Sequence, residues 1–431
     1  MMSDLVCEHQ EPGAGRRRLV FIESAAAMGG VQFSTLYLAQ NLDQSKWKPI
    51  VLCPEEGDLP RACRDSGIEV HVLPQPRLWS TSVRLGAIRL PNPVAWVWDV
   101  GLIAMAASRL RRFLVQCSPA VIVTKGLSSH LLGGLATRKL RTPCVWHVQD
   151  FVSERSFGIY KQAFGLAARW LPEQIIVDGA SIAEQLPRSL QSRVTVIHNG
   201  VDTNIFYPGR DSSEVRRELG LPIDHLVIGH AGRLTPWKGQ HYLIEAFARL
   251  AGEHPATTLL LVGSPVFDNN KYELRLRARV AQLGLTDRVK FAGYRHDLPR
   301  VLSAMDLFAF TSIEKDTSPL ALLSAMSCGL PIVAFDIAGV RELMTSGQCS
   351  LVTVGQVQAL SDSLEALIIN EALRQSLARQ AREAVMRGLS LERYTSLMEQ
   401  ALLKAAFHRQ GENSAYSAAG LPNVQRETFE S

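Results

Sequence analysis

Short apolar runs alternate with longer helix-period segments along almost the whole of this chain. That alternation restricts the fold more than any single motif does. The first half carries runs at 18–22, 49–53, 69–73, 121–124, 144–148, 174–177 and 194–197, and the second at 226–230, 258–262, 289–291, 307–310, 332–335 and 351–354. Short strands separated by helices require crossovers, hence parallel sheets covered on both faces. Thirteen strands are too many for one comfortable open sheet. At 431 residues the chain has room for two or three domains of about 150 residues each. Two doubly wound α/β domains are the economical solution.

The seam falls after Ile197, where the pattern breaks into His198-Asn199-Gly200-Val201-Asp202 and then Pro208-Gly209. The expected division is an N-terminal domain over 16–203, a C-terminal domain over 204–390, and a helix over 391–410 crossing back to the first domain. Residues 411–431 are polar and aperiodic and read as a disordered tail. Doubly wound domains take ligands at the carboxyl ends of their strands. Two of them face to face would place the site in the cleft between.

The net charge of +5 has no clustered basic stripe behind it, which argues against nucleic acid as a partner. It fits an anionic small substrate or loose attraction to an anionic membrane. Seven cysteines, an odd number with no Cys-x-x-Cys, argue against a disulfide framework or zinc site and for a cytoplasmic protein. The N-terminus has no apolar core of a signal peptide, and the most apolar stretch, 91–107, is shorter than a span of about 20 residues. Residues 84–112 pair apolar side chains, Trp96 and Trp98 among them, with Arg89, Arg109, Arg111 and Arg112. Such a helix suits either a lipid interface or ordinary packing in the core.

Two segments carry the chemistry. In the first, a buried strand runs into Gly232-Arg233-Leu-Thr235-Pro236-Trp237-Lys238. Thr235 suits a helix cap and Pro236 its first turn. A helix N-terminus with Arg233 and Lys238 beside it is what a diphosphate needs, though a surface loop with two solvated charges has the same sequence. In the second, a strand ends near Thr311 and a turn follows with Glu314, Asp316, Thr317, Ser318 and Pro319. An apolar helix then runs from Leu320 to Gly329. Thr317 or Ser318 can cap that helix, and its amides can bind an anion or sugar hydroxyls.

Together these segments resemble the donor-binding half of retaining, nucleotide-sugar-dependent glycosyltransferases with the GT-B fold, family 4-like or "group 1". The likeness extends to Met28-Gly29-Gly30-Val31-Gln32, the His-Asn-Gly-Val-Asp linker, the strand end at Gly263, Phe291-Ala-Gly293-Tyr294-Arg295 and Asp336-Ile-Ala-Gly339. The resemblance implies two Rossmann-like domains facing across a cleft. It gives Arg233 and Lys238 the donor diphosphate, Gly29 and Gly30 the approach to the same phosphates, and Gly293, Tyr294 and Arg295 the nucleobase. Asp316 with the amides of Thr317 and Ser318 would hold the donor sugar. The family's second carboxylate on the helix is replaced here by Ser324, which loses a bidentate grip on ribose hydroxyls. The family's histidine near the end of a first-domain strand falls at Gln149, with His147 two residues earlier on the same face.

No Asp-x-Asp occurs, so no metal or other cofactor is expected beyond the nucleoside-diphosphate sugar as co-substrate. The expected activity is sugar transfer with retention to a sugar or lipid-linked acceptor, in bacterial polysaccharide or glycolipid biosynthesis. Peripheral contact with the cytoplasmic membrane face would accompany it. A nucleotide-sugar epimerase of the same architecture and a non-catalytic, degenerate transferase are the alternatives. The loops 78–93 and 125–130 carry no decoded motif.

Overall fold

The computed structural model describes residues 16–76, 82–85, 88–91, 93–150, 159–265, 270–314, 316–345 and 347–410. The chain divides into two compact units, the first ending at Ile197 and resuming at Thr395, the second spanning His198–Tyr394.

Unit 1 contains β1 (Arg17–Glu23), β2 (Trp47–Cys53), β3 (Glu69–Val72), β4 (Ser82–Leu85), β5 (Ile88–Pro91), β6 (Val121–Lys125), β7 (Cys144–Val148), β8 (Gln174–Val177) and β9 (Val194–Val196). Its helices are α1 (Gly30–Asn41), α2 (Asp58–Asp65), α3 (Pro93–Cys117), α4 (Leu127–Thr137), α5 (Ile159–Trp170) and α6 (Ala180–Ala183). Seven strands form one parallel sheet in the order β3-β2-β1-β6-β7-β8-β9. Val20, Ile22, Ile50, Ile122, Trp146 and Ile175 on its strands pack against the helices as the core.

Unit 2 contains β10 (Leu226–Ala231), β11 (Thr257–Val262), β12 (Val289–Gly293), β13 (Leu307–Phe310), β14 (Ile332–Phe335) and β15 (Ser350–Val352). Its helices are α7 (Ser213–Glu218), α8 (Gln240–Leu250), α9 (Lys271–Gln282), α10 (Leu298–Leu302), α11 (Leu320–Ser327), α12 (Ala338–Arg341), α13 (Val357–Ile369) and α14 (Glu371–Gly388). The sheet is parallel in the order β12-β11-β10-β13-β14-β15. β13 and β14 are buried at every position, as central parallel strands should be. α8 turns Leu243, Ile244, Phe247 and Leu250 inward, the stripe of an amphipathic helix. In α15 (Leu391–Gln410), residues from Thr395 onward group with unit 1, where Glu399 Oε1 accepts from the Asp43 amide at 2.6 Å.

Thirteen apolar runs in the sequence correspond to thirteen strands of these two sheets. Two expectations need correction. The segment 82–91, expected as loop and as the start of a helix, is an antiparallel hairpin of β4 and β5. The turn 198–203, assigned above to the first domain, groups with unit 2, where Val201 pairs with Ser390. α3 packs Leu110, Phe113 and Leu114 into the core while Trp98, Met105, Arg109, Arg111 and Arg112 are exposed. No helix among the described residues is long and apolar enough to cross a membrane. The tail 411–431, residues 78–81, 86, 87 and 92 of the loop 78–93, and the side chains of Arg89 and Trp96 lie outside the described residues.

Candidate functional site

The strand order of unit 2 reverses between β10 and β13, and ligands of doubly wound sheets sit at such a reversal, at the carboxyl ends. The two sequence motifs leave the sheet at that point. The loop after β10 and the loop after β13 are zipped together: the Ile313 amide donates to Trp237 O at 2.9 Å, and Thr311 Oγ1 to Lys238 O at 3.0 Å. Gly239 adopts φ +69, and a Cβ there would lie 2.0 Å from Thr311 O. Only glycine permits that approach.

Lys238 is nearly buried and its ammonium donates to Asp316 Oδ2 at 2.5 Å. It also lies 4.4 Å from the Trp237 ring centroid and 5.6 Å from that of Phe310. The Arg233 guanidinium sits 5.4 Å from the same Trp237 ring. One indole thus faces two cations. Burial lowers the Lys238 pKa; the Asp316 carboxylate opposes that and Arg233 reinforces it. Behind them His230 is fully buried, its Nδ1 donating to Ala309 O at 3.0 Å. Burial pushes it down to about 4, so the ring is neutral and its Nε2 accepts from Gln240. Gln240 Nε2 also donates to Arg233 O at 2.8 Å, which fixes the main chain of the cationic turn.

The caps expected for these helices are not formed. Thr235 precedes a single 3-10 turn, Pro236–Lys238, without a side-chain cap, and α8 begins only at Gln240, after the left-handed Gly239. Pro319 rather than Thr317 or Ser318 precedes α11. Ser318 Oγ accepts instead from the Asn199 amide at 2.8 Å, and Asn199 Nδ2 donates to Ser318 O at 2.9 Å. The Asn-Gly turn of the linker therefore props the Asp316 loop. Gly339 backs the same loop, since a Cβ there would lie 1.8 Å from Asp316 O. Thr317, Ser318, Pro319 and Ser324 are buried, Leu320 is half-buried and Glu314 is exposed.

Gly263 and Gly293 line the adjacent strand ends, the Gly263 amide donating to Gly293 O at 2.8 Å. Gly263, at φ +134, lets β11's end close on Gly232 O, which a Cβ would approach to 2.0 Å. Tyr294 is exposed and meets His296 edge-on. The Arg295 side chain is engaged by Asp297 and Glu218.

Unit 1 gives His147 and Gln149 different surroundings. His147 is fully buried, its Nε2 2.7 Å from Asp178 Oδ1. Gln149 is half-buried at the strand end, donating to Asp178 Oδ2 at 2.7 Å and lying 3.1 Å from Ser34 Oγ. Gly29 precedes α1 and Gly30 opens it. The residues 125–130, expected as loop, end β6 with Lys125 and open α4, and both Lys125 and His130 are buried. Sequence reasoning missed Glu23, Lys125 and Asp178. The first two were visible as charged residues closing apolar strands.

Two doubly wound parallel-sheet domains are the architecture of the GT-B class, and comparison with known proteins agrees. The chain matches the model of Glycosyltransferase Family 4 over residues 28–205 and that of Glycosyl transferases group 1 over 211–384. It belongs to the group 1 glycosyltransferases of the GT-B fold. The structure of Anabaena Alr3699/HepE in complex with UDP and glucose is similar, with a TM-score of 0.76, 25% identity, and coverage of 90% of this chain and 99% of that one. A D-inositol 3-phosphate glycosyltransferase of Stackebrandtia nassauensis is 34% identical over 206 residues, 46% of either chain. The lipopolysaccharide core biosynthesis mannosyltransferase LpsB of Rhizobium meliloti is 33% identical over 153 residues, 36% of this chain and 43% of that protein. The matches to these curated relatives span about half of their length or less.

Proposed function

We propose that the protein transfers a sugar from a nucleoside diphosphate to an acceptor hydroxyl with retention of anomeric configuration. The observation that carries this reading is the Arg233–Trp237–Lys238–Asp316 cluster at the reversal of the second sheet. In the transfer, the bond from the anomeric carbon to the β-phosphate oxygen breaks and the acceptor oxygen bonds to that carbon on the same face. The acceptor's proton passes to the departing phosphate oxygen. Arg233 and Lys238 offset the charge growing on the diphosphate, an electrostatic form of catalysis that asks for no metal ion. On donor binding Lys238 turns from Asp316 to the phosphates, and the released Asp316 carboxylate accepts from donor hydroxyls.

UDP and glucose bound to the similar Anabaena protein favour a uridine nucleotide as donor. The test is thermal: UDP at 100 times its Kd adds about 2.7 kcal/mol to stability, and a nucleotide that does not bind adds nothing. Ser324→Glu supplies a charged acceptor on α11. A charged hydrogen bond exceeds a neutral one by about 1 kcal/mol, so UDP should bind about fivefold tighter. Absence of any shift with every nucleoside diphosphate contradicts the reading.

The exposed Trp98 and Met105 with Arg109, Arg111 and Arg112 on α3 support a peripheral contact with an anionic membrane. The protein should co-sediment with vesicles containing phosphatidylglycerol and not with pure phosphatidylcholine. Replacing the three arginines with Gln should abolish the difference. Equal recovery with both vesicles rules the contact out.

A further inference from the structure

Unit 1 holds a second polar centre that the transfer chemistry leaves unexplained. Its strand order reverses between β1 and β6, whose last residues, Glu23 and Lys125, are register partners. Both side chains are fully buried. Burying two opposite charges costs desolvation that apolar replacements would avoid, so their presence calls for another reason. The start of α1 supplies one. Glu23 accepts from Thr35 Oγ1 at 2.5 Å and from Gln32 Nε2 at 3.3 Å. Lys125 Nζ donates to Ser34 Oγ at 2.6 Å, and Ser34 Oγ lies 3.1 Å from Gln149 Nε2. Three polar side chains from the first turns of one helix converge on the pair. They do so directly behind Gly29 and Gly30, and the Gly29 carbonyl accepts from the Phe33 amide at 2.9 Å.

We propose that the buried Glu23–Lys125 pair holds the Gly29–Gly30 turn and the Gln149 amide in place, which makes Lys125 a positioning residue for the transfer reaction proposed above, on which that role rests. The pair does not touch the substrates itself. It acts through α1 and through Ser34.

The pH dependence follows from the groups around the ammonium. Glu23 faces it from β1, His147 from β7 and Asp178 from the end of β8. α1 carries no charged residue, and His130 on α4 is kept neutral by burial, which pushes it down to about 3. Burial pushes Lys125 itself down to about 8, against the pull of Glu23 and Asp178. Burial raises the Glu23 pKa, while Lys125, Thr35 and Gln32 hold it down, so above that pH the ammonium loses its proton and Glu23 loses the charge that favours its ionised form. Between about 8 and the ordinary lysine value the unfolded chain still holds this proton, so this group makes the native state more stable as pH rises. Activity lost in that window is therefore not unfolding driven by Lys125.

Hydrogen exchange on the full chain tests the idea without any substrate. In Glu23→Gln/Lys125→Met, amides 29–35 should exchange about tenfold faster than in wild type after correction for intrinsic rates, with no fall in Tm. Wild type should show the same loosening as pH passes from about 7 to about 9, and Lys125→Arg, which keeps its charge, should not. In transfer assays with UDP-glucose, kcat of the double variant should fall about 30-fold or more, because a misplacement of about 1 Å can cost about 10²-fold, while the Kd for UDP rises far less, the proposed phosphate grip of Arg233 and Lys238 being intact. The alkaline limb near pH 8 should move upward in Lys125→Arg. Unchanged exchange in the double variant and in wild type across that pH range overturns the proposal whether or not the protein transfers sugar. Altered exchange in a protein that turns over no nucleotide sugar upholds the positioning of the turn and sinks the transferase reading instead.

Discussion

Replacing Arg233 and Lys238 together with Ala should lower UDP affinity by about 10²- to 10⁴-fold, since each charge-assisted hydrogen bond to a phosphate contributes about 1.5–3 kcal/mol. Calorimetric titration measures this directly. The geometry sets a condition on the experiment. Lys238 is the partner of Asp316, and both side chains are largely buried, at 10% and 13% exposure. Removing the ammonium leaves a carboxylate with little access to water, which destabilises unit 2 independently of any ligand. The triple variant with Asp316→Asn removes that orphaned charge. It should regain most of the wild-type Tm and still fail to bind UDP. A double or triple variant that binds UDP within about threefold of wild type would show that these cations serve the fold and not a diphosphate.

The fold was legible because strands of a parallel sheet are buried on both faces and therefore stand out as apolar runs. Leu307–Phe310 and Ile332–Phe335 are of this kind. The β4–β5 hairpin was not legible. Its four-residue strands place Arg84 opposite Arg89, a pattern that reads equally well as one side of an amphipathic helix. Within the site, the residue types at 233, 238 and 316 could be read, but their mutual arrangement could not. The Lys238–Asp316 pair joins positions 78 residues apart. Local cap propensities misled for the same reason: Ser318 has a partner 119 residues away in Asn199, and that tertiary bond prevails over the cap. The centre in unit 1 was missed because a lysine or glutamate closing a strand looks like the first residue of a solvated loop. Only the register of β1 with β6 shows that Glu23 and Lys125 end side by side under α1.

Gly239→Ala should be among the most damaging single-methyl changes in the second unit. Two costs add at this position. The φ of +69 is left-handed, which costs an L-residue with a Cβ about 1–2 kcal/mol. The new Cβ would also stand 2.0 Å from Thr311 O, a main-chain atom that cannot rotate away. Relieving that clash means separating the loop after β10 from the loop after β13, breaking the Ile313–Trp237 and Thr311–Lys238 hydrogen bonds that zip them. Overpacking of this sort costs about 1–3 kcal/mol. The combined loss of about 2–5 kcal/mol corresponds to a fall in Tm of about 4–20 °C for a unit of this size. Gly284→Ala is the control, because φ there is +70 but nothing lies within 4 Å of its Cβ. It carries the backbone cost alone, so its Tm should fall by about 2–8 °C. The difference between the two variants isolates the contact with Thr311. Because that contact also sets where Lys238 meets Asp316, Gly239→Ala should weaken UDP binding below its unfolding temperature while Gly284→Ala leaves it unchanged. Equal Tm values for the two variants would mean that the two loops move apart at little cost, and the cationic turn would then not be held by the sheet behind it.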